Sequence, residues 1–407
     1  MPLRILHVLR KGRPDADRSA VSICELAGGQ RRLGHELEVV TFSAVGAETL
    51  EEAGLTVHRL PRGIGAYGLS RRFVRWLRMN AARYDCVIIH GIWSFSALGT
   101  WWALRGTKTP FFVFTHGELD PWFKQSRPLR HLARWFYWPW GVYPVLRDAH
   151  AVFFVCDNER QRARETFWLY DCHEFVVRTG SAVAAREPTF PGPFLAKHPG
   201  LWGRRIFLYV ADHDADHGVR TLLGAVDRLA AKGSWDRGSM TLVIAGTDKE
   251  VTLGTAKRAE RLGIGQSVFC AGHLNEGEIW DALRSSEATL RPSSFEICGR
   301  RVAESLSYGK PVLMSTGSVV WKDVVNSGAG FAGESDAEGI ARTLERWLAL
   351  PDSEKLATRD LARRCFEERY SPEGAAHTLI SAIYLLVGVH RDGRWDQKPL
   401  KPASGLI

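Results

Sequence analysis

The chain has 407 residues, 45% of them hydrophobic, which is enough for two compact domains and excludes global disorder. Its seven cysteines are odd in number and scattered without a C-x-x-C pair, which argues against a disulfide framework or a zinc site and favours a reducing cytosol. The formal charge of +9 is uneven: residues 1–180 carry 25 Lys and Arg against 17 Asp and Glu. The first half is therefore expected to face phosphates or an anionic surface.

Short apolar strands alternate with helical patterns along the chain. The first series reads RILHVL, LEVVTF, CVIIH, FFVFTH, AVFFVC and EFVV, and the second reads IFLYVA, TLVIAG, VFCAG, ATLRPS and PVLMS. Continuous apolar strands separated by helices are typical of parallel sheets covered on both faces. The sequence therefore predicts an α/β fold of two Rossmann-like, doubly wound parallel-sheet domains, residues 1–183 and 204–370.

The segments that flank these domains are also predicted from composition. Residues 184–203 are rich in proline and glycine and are predicted to be the linker, and residues 371–390 a final amphipathic helix. The polar tail at 391–407 is predicted to be disordered. The start, MPLRILHVLRKG, is predicted to be a buried strand rather than a signal peptide. The longest apolar run, WFYWPWGVYPVL, is too short for the ~20 residues that cross a bilayer.

Two segments of the first half, residues 69–84 and 127–146, interleave arginines with aromatic residues. Basic amphipathic helices of this kind lie on anionic membrane surfaces, which predicts a cytoplasmic protein bound peripherally at the inner face of the cell membrane. An ordinary surface helix with a buried aromatic face fits the pattern equally well. Nucleic acid is not expected as a partner, because no nucleic-acid-binding motif accompanies the charge.

The segment RPSSFEICGRRVAESLSYGKPVL, residues 291–313, carries the clearest chemical pattern. Glu296 follows a strand, Gly299 lies in the turn, and Glu304 falls one turn into the next helix. Parallel sheets bind ligands beyond the carboxyl ends of their strands, where a helix N-terminus offers N–H groups to phosphate. The two carboxylates would then accept hydrogen bonds from sugar and ribose hydroxyls. A solvated helix glutamate and a turn glutamate are the alternative reading.

The order P-S-x-x-E, seven residues, E, then G-K-P-V resembles the donor-site signature of retaining glycosyltransferases of family 4. LGHELEVVT, FTHGELDPW, TLVIAGT and TGSVVWKDVV extend the resemblance along most of the chain. It implies the GT-B fold, two Rossmann-like domains facing a cleft, with the final helix crossing back to the first domain. The implied donor is a nucleoside diphosphate sugar, with no cofactor and no obligatory metal.

The same resemblance implies roles for individual residues. Glu296 would contact the donor sugar, and His116 would lie near the reacting centre. The other residues expected at the donor are Glu304, Cys298, Gly299, Arg300, Arg301, Gly246 and His217. THGELDPW is similar to a subset of the family that acts in exopolysaccharide and lipopolysaccharide assembly, which implies a polyprenyl-diphosphate-linked glycan acceptor. The residues expected at that acceptor are His90, Trp93, Glu118 and Asp120.

Two loops depart from the family pattern. The Arg and Lys expected for the diphosphate correspond to Asp212 and His217 in VADHDADHGVRTLL, and the expected Gly-Gly pair corresponds to Asp17 and Arg18. Aspartates there would repel a diphosphate, and Arg301 is the candidate for a replacement cation. DHDADHG is interpreted as a polar loop, with a metal site as the alternative. A catalytically degenerate homologue that scaffolds a partner glycosyltransferase is the alternative function.

Overall fold

The computed structural model describes residues 2–9, 23, 26–42, 47–61, 63–65, 67–126, 128–178, 180, 192–211, 215–247, 249–292 and 299–387. The chain forms two compact units, Met1–Ser181 with Arg369–Ile407, and Ala182–Glu368. Several residues singled out from the sequence lie outside the described ranges. They are Asp17, Arg18, Asp212, Asp214, Glu296, Cys298 and the tail 391–407.

The first unit is built on a parallel sheet of seven strands in the order β3-β2-β1-β4-β5-β6-β7. The central strands are buried along their whole length, which is why they read as continuous apolar runs. The strands are β1 Arg4–Val8, β2 Glu36–Thr41, β3 Thr56–Arg59, β4 Cys86–His90, β5 Phe111–Phe114, β6 Ala151–Phe154 and β7 Glu174–Val176.

Helices connect these strands. They are α1 Ala47–Glu52, α2 Arg71–Asn80, α3 Phe95–Leu104, α4 Trp122–Ser126, α5 Pro128–Tyr137, α6 Tyr143–Asp148 and α7 Asp157–Ala163, with a π-helical turn over Trp138–Val142. Helix α2 shows the ordinary surface pattern, because Phe73 and Leu77 are buried while Arg71, Arg75 and Arg78 are exposed. Its aromatic face is therefore part of the core.

The second unit has a parallel sheet of six strands in the order β10-β9-β8-β11-β12-β13. The strands are β8 Arg205–Val210, β9 Met240–Ala245, β10 Val268–Gly272, β11 Ala288–Arg291, β12 Val312–Ser315 and β13 Gly330–Gly333. The helices are α8 Pro193–Lys197, α9 Ala215–Ala231, α10 Lys249–Arg261, α11 Glu276–Ser285, α12 Arg300–Ser307, α13 Trp321–Asn326, α14 Ala337–Leu348 and α15 Asp352–Arg369. The two sheets confirm the predicted pair of Rossmann-like α/β domains.

The described part of the predicted linker is not irregular. Helix α8 has Pro193 in its first turn, and the buried Phe194 donates its backbone N–H to Asp281 of α11 at 2.6 Å. Proline is favourable at the start of a helix because the missing N–H would have no helical partner there. The described part of this segment therefore contains a short helix packed on the second unit, where the sequence showed no helical period, and the linker itself stays a prediction.

The last helix, α16 Pro372–Val387, packs on the sheet of the first unit. Leu379 and Ile383 are fully buried with Ile5 and Phe112. Gly29 makes the contact close, because a Cβ there would lie 2.3 Å from the carbonyl oxygen of Pro372. Helix α16 thus belongs to the first unit, in agreement with the predicted final helix that crosses back to the first domain.

Candidate active site

The second sheet reverses its strand order between β8 and β11, and ligands of doubly wound sheets bind beyond the strand ends at that point. Helix α9 follows β8, and α12 follows β11. Gly218 in the first turns of α9 lies so close to both strand ends that a Cβ would meet the Tyr209 hydroxyl at 2.4 Å and Pro292 at 3.4 Å. The N-terminus of α9 is therefore held directly against this crevice.

The N-cap residue of helix α12 is Gly299, whose backbone is left-handed with φ of 59°. A side chain there would be strained, and its Cβ would also lie 2.9 Å from Val320. Five residues on, Glu304 is buried with 4% of its surface exposed. Its carboxylate accepts from Arg300 Nε at 2.9 Å and from Arg301 Nη1 at 2.7 Å. Glu304 is thus not a solvated helix residue, and its charge is compensated within its own helix.

Arg291 joins this group from the end of β11, although the sequence did not single it out. Its buried guanidinium donates to the Val210 carbonyl at the end of β8 at 2.9 Å, which ties the two strand ends together. Arg291, Arg301 and Glu304 line a cavity of about 10 Å³, room for about one water molecule. A buried strand-end arginine in ATLRPS is the signal that could have indicated this position.

The remaining predicted donor residues of the second unit lie near the same strand ends. Gly246 follows β9 with φ of 79°, and a Cβ there would lie 3.2 Å from the Ala211 carbonyl after β8. His217 lies in the first turn of α9 and is partly buried. Asp216 pairs with Arg220 on the same helix at 3.1 Å. Among the residues that the structure describes, no group of three or more metal-ligating side chains converges.

In the first unit, His116 follows β5 in the turn Thr115-His116-Gly117. It has φ of 49°, which makes it the non-glycine residue with a left-handed backbone in the described ranges. Histidine is one of the few side chains found repeatedly in this region, yet the conformation costs energy unless the surroundings hold it. His116 therefore occupies a constrained position at the carboxyl edge of the sheet.

The carboxylate of Glu159 on α7 holds the turn around His116 in place. Its buried carboxylate accepts from the Thr115 hydroxyl at 2.8 Å and the Gly117 N–H at 2.7 Å, on either side of His116. The other oxygen accepts from the Val155 N–H at 2.6 Å. Burial raises the pKa of Glu159, against the lowering effect of these hydrogen bonds. The sequence did not indicate this residue, which is an acidic side chain in the first turn of the helix after β6.

His116 also continues a row of histidines that enters the core. His116 Nε2 lies 2.9 Å from His90 Nδ1, and His90 Nε2 lies 2.9 Å from His7 Nδ1. The rings are stacked, with centroids 5.1 and 5.2 Å apart. His90 and His7 are buried, whereas His116 is partly exposed. His7 was not singled out from the sequence. It lies near the end of β1, and β1 pairs with β4, the strand that carries His90.

Burial keeps these imidazoles uncharged. It lowers the pKa of His7 and of His116 to about 4. The pKa of His90 is lowered well below its usual value by burial, and the neighbouring His116 and His7 add to this effect. Neutral imidazoles each carry one N–H, so each N···N contact has one donor and one acceptor.

The four residues predicted at the acceptor occupy different environments. Glu118 bridges two loops, because its Oε2 accepts from the Ile92 N–H at 2.7 Å. Trp93 is partly buried and donates its indole N–H to the Glu118 carbonyl at 3.2 Å. Asp120 is buried, pairs with Arg162 at 2.8 Å and accepts from the Trp122 N–H. Asp120 is thus held in a buried ion pair, and His90 contacts other histidines rather than solvent.

Two family models match the chain. The Glycosyl transferase 4-like domain matches residues 19–177, and Glycosyl transferases group 1 matches residues 196–363. A comparison with curated proteins found no match. None of the helices within the described residues combines the length and the apolar character needed to cross a membrane.

Solved structures with the same fold have low sequence identity. A glycosyltransferase from Rickettsia africae has 14% identity and a TM-score of 0.72 over 94% of this chain and 98% of its own. HepE of Anabaena, solved with UDP and glucose, has 14% identity and a TM-score of 0.68 over 94% and 99%. WaaG, a glycosyltransferase involved in lipopolysaccharide biosynthesis, has 14% identity and a TM-score of 0.56 over 91% and 98%.

The family models thus fall on the two units that the sheets define, and together they span most of the chain. The neighbours share the architecture of two Rossmann-like domains over nearly their full length. The comparisons lend no support to a degenerate scaffold. The chain belongs to the family 4 type glycosyltransferases and has their GT-B fold.

Proposed function

We propose that the enzyme transfers a hexose, with retention, from a nucleoside diphosphate sugar to a lipid-linked glycan during synthesis of a surface polysaccharide. The observation that carries the donor assignment is the buried Glu304, held by Arg300 and Arg301 beside the strand ends where the second sheet reverses order. HepE, which shares the fold, was solved with UDP and glucose. WaaG, which also shares it, is involved in lipopolysaccharide biosynthesis.

The proposed donor site uses the carboxylate for the ribose. Each carboxylate oxygen has two acceptor positions, so Glu304 can accept from a ribose hydroxyl while the arginines keep it oriented. The N-terminus of α12, which follows the N-cap residue Gly299, offers N–H groups to the diphosphate. Gly246 after β9 and His217 in the first turn of α9 complete the proposed donor contacts, together with Cys298, which precedes Gly299 in the sequence.

In the proposed reaction, the bond between the sugar and the diphosphate breaks on the face where the acceptor hydroxyl attacks. The new bond forms to the acceptor oxygen, and the hydroxyl proton passes to the departing phosphate. His116 and Glu296 are the proposed catalytic residues, arranging the sugar and stabilising developing charge. We propose that no metal is obligatory, because the arginines and the helix N-termini stabilise the negative charge of the diphosphate leaving group.

Nucleotide binding tests the donor assignment directly. A nucleoside diphosphate at 100 times its dissociation constant should add about 2.7 kcal/mol to the free energy of unfolding, so UDP, GDP and ADP are compared by thermal unfolding. We expect one of them to stabilise the protein and Glu304→Ala to remove the effect. Arg342→Ala changes a surface ion pair on α14 and serves as the control. If none of the nucleoside diphosphates stabilises the protein, the result would favour the alternative of a scaffold for a partner glycosyltransferase.

The acceptor proposal is supported by an exposed apolar face on α5 and the π-helical turn. Leu129, Leu132, Phe136 and Trp140 follow helical spacing, and their exposed fractions run from 52% to 84%. Most of the net positive charge lies in the first half of the chain, where residues 1–180 carry 25 Lys and Arg against 17 Asp and Glu. Apolar and aromatic side chains on a basic surface are the combination that binds anionic lipid headgroups. We propose that this face docks the enzyme on the cytoplasmic surface of the membrane, where a lipid-linked acceptor is anchored.

Sedimentation with vesicles tests this docking face. The protein should pellet with phosphatidylglycerol-containing vesicles but not with pure phosphatidylcholine, and Phe136→Ser with Trp140→Ser should weaken binding about tenfold or more. Leu356→Ser removes an equally exposed leucine from the second unit and should leave binding unchanged. Equal binding by the double variant would contradict the proposal. A dimer without lipid that the double variant disrupts would assign this face to self-association instead.

A further inference from the structure

The guanidinium of Arg134, on helix α5, is held against two aromatic rings. Its central carbon lies 4.4 Å from the centre of the Trp93 ring and 5.2 Å from the centre of the Phe123 ring. An aromatic face attracts a cation and orients it, but it carries no net charge that would neutralise it. The five N–H donors of a guanidinium lie in its own plane, so stacking on rings uses none of them. Such a cation is suited to bind the oxygens of an anion along its edge.

Both rings lie at the carboxyl edge of the first sheet. Trp93 follows β4, and Phe123 belongs to α4, which follows β5. The indole N–H of Trp93 donates at 3.2 Å to the carbonyl of Glu118, which lies just beyond His116 in the chain. Parallel sheets bind ligands beyond the carboxyl ends of their strands. Arg134 therefore lies at the edge of the sheet that suits a ligand, beside the segment that carries His116.

Lys124 adds a second positive charge to this region. Burial lowers the pKa of His131, and the charges of Lys124 and Arg134 lower it further. Both cations therefore lie near His131. Asp120, which precedes α4, is buried and pairs with Arg162 at 2.8 Å. The positive charge of Lys124 and Arg134 favours an anionic ligand at this edge of the sheet.

Arg134 projects from the side of α5 opposite to the docking face. Leu132 and Phe136, whose exposed fractions are 52% and 65%, flank it two positions away in the sequence. Two residues correspond to about 200° around a helix, and a helix with its side chains is about 10–12 Å across. Amphipathic helices place their apolar face ~5–10 Å into the boundary between headgroups and acyl chains. When α5 docks in this way, Arg134 reaches the level of the lipid headgroups.

We propose that Arg134 binds a phosphate group of the carrier lipid to which the acceptor glycan is linked, with Trp93 and Phe123 holding its guanidinium in place. This inference rests on the proposed function, in which the acceptor is a lipid-linked glycan. Phosphate oxygens match the paired N–H groups of a guanidinium. The phosphates of bulk lipids have the same chemistry, but only the carrier phosphate joins the membrane to a glycan that must reach His116. Arg134 lies between the docking face and the His116 segment, where that junction would be held.

Sedimentation with two kinds of phosphatidylcholine vesicles tests this assignment. One kind contains a small fraction of undecaprenyl diphosphate and the other contains the same fraction of undecaprenol, so the two differ only in the diphosphate. The native protein should bind the first kind at least about tenfold more tightly. Arg134→Gln should lose most of this difference, because its amide can stack on the rings but carries no charge.

Arg134→Lys separates the charge from the shape of the guanidinium. Lysine keeps the positive charge but cannot offer two parallel N–H groups, so this variant should bind undecaprenyl diphosphate with intermediate affinity. If Arg134→Gln does not fold, the lysine variant decides the test. Native affinity in Arg134→Lys would then overturn the inference.

Arg105→Gln is the matched control. Arg105 also stacks on a tryptophan, with its guanidinium carbon 5.3 Å from the centre of the Trp101 ring, but it follows α3 in the segment that leads to the start of β5. This variant should bind both kinds of vesicle as the native protein does. Arg134→Gln should bind phosphatidylglycerol vesicles within about twofold of the native protein, because its docking face is intact.

Three results would overturn the inference. They are a native protein that does not distinguish the diphosphate from undecaprenol, an Arg134→Gln variant that distinguishes them as well as the native protein does, and an equal loss by this variant on phosphatidylglycerol, which would assign Arg134 to bulk headgroups. Thermal unfolding with nucleoside diphosphates tests the proposed function separately. If Arg134 recognises undecaprenyl diphosphate in a protein that no nucleoside diphosphate stabilises, sugar transfer is contradicted and the assignment of Arg134 stands.

Discussion

Glu304 and Arg301 are less than one helical turn apart on α12 and form an ion pair with 2.7 Å between Oε2 and Nη1. The carboxylate is almost fully buried, whereas 27% of the arginine side chain is exposed. A second arginine, Arg300, holds the other oxygen. Arg301 therefore stabilises the fold around Glu304, and in the proposed donor site it would also offer positive charge to a ligand.

Arg301→Ala should lower both stability and nucleotide affinity. Removing one of two partners from a buried carboxylate should cost about 1 to 2 kcal/mol, less than for a fully buried pair because the arginines are partly solvated. Calorimetry with the nucleoside diphosphate that stabilises the native enzyme should show affinity reduced at least about tenfold.

Urea unfolding measures the stability change, and Arg342→Ala controls for loss of an exposed arginine in ion pairs. Affinity in Arg301→Ala equal to the native value would remove Arg301 from the donor site.

Glu159→Gln should loosen the turn that carries His116. The amide offers one acceptor oxygen where the carboxylate offers two, so one of the N–H groups of Gly117 and Val155 loses its partner. A buried donor left unpaired costs about 1 to 3 kcal/mol. We expect this loss in urea unfolding together with a lower kcat, because the turn positions His116.

Glu165→Gln changes a carboxylate just beyond α7 and provides the control. A Glu159→Gln variant with native kcat would show that this clamp does not position His116 for the reaction.

The left-handed backbone of His116 predicts which replacements the fold tolerates. The free energy of unfolding of His116→Asn should lie within about 1 kcal/mol of the native value, because Asn accepts this conformation. That of His116→Val should be lower than that of His116→Asn by about 1 to 3 kcal/mol. Both should lose at least about a hundredfold in kcat.

Thermal or urea unfolding separates the two variants. Equal stability of the Asn and Val variants would mean that the surroundings do not enforce the left-handed conformation.

The buried histidines predict that acid begins to destabilise the protein below about pH 6.5, before most carboxylates titrate. His7 and His116 have pKa values lowered from 6.5 to about 4, so below pH 6.5 the unfolded chain takes up protons that the folded protein does not. The unfolded state is then favoured, and the free energy of unfolding falls as pH falls from about 6.5 to 4. Each such histidine contributes a slope of about 1.4 kcal/mol per pH unit.

Urea unfolding between pH 5 and 7.5 measures this slope. His7→Asn should reduce it by the contribution of one histidine, about 1.4 kcal/mol per pH unit. Other histidines with lowered pKa, such as His150 and His35, contribute to the total slope in both proteins. The difference in slope between the native protein and His7→Asn therefore measures the contribution of His7. The same slope in the variant would mean that His7 is protonated in the folded state.

The sequence by itself determined the parallel sheets, the final helix and the position of Glu304 inside α12. These features follow from local patterns: apolar runs between helices, an apolar stripe at helical spacing, and a glycine turn before the helix. The segment 184–203 shows the limit of such patterns. Its prolines and glycines showed no helical period, yet burial of Phe194 against the second unit stabilises helix α8 within it.

Only the tertiary structure decided what the charged and titratable side chains contact. His7, His90 and His116 are separated by 83 and 26 residues, and they meet because β1, β4 and β5 are neighbours in the sheet. Glu159 reaches the His116 turn across 42 residues for the same reason. Hydrogen bonds between distant residues leave no periodic signal in the chain, so the partners of His116 could not be predicted even though its position at a strand end could.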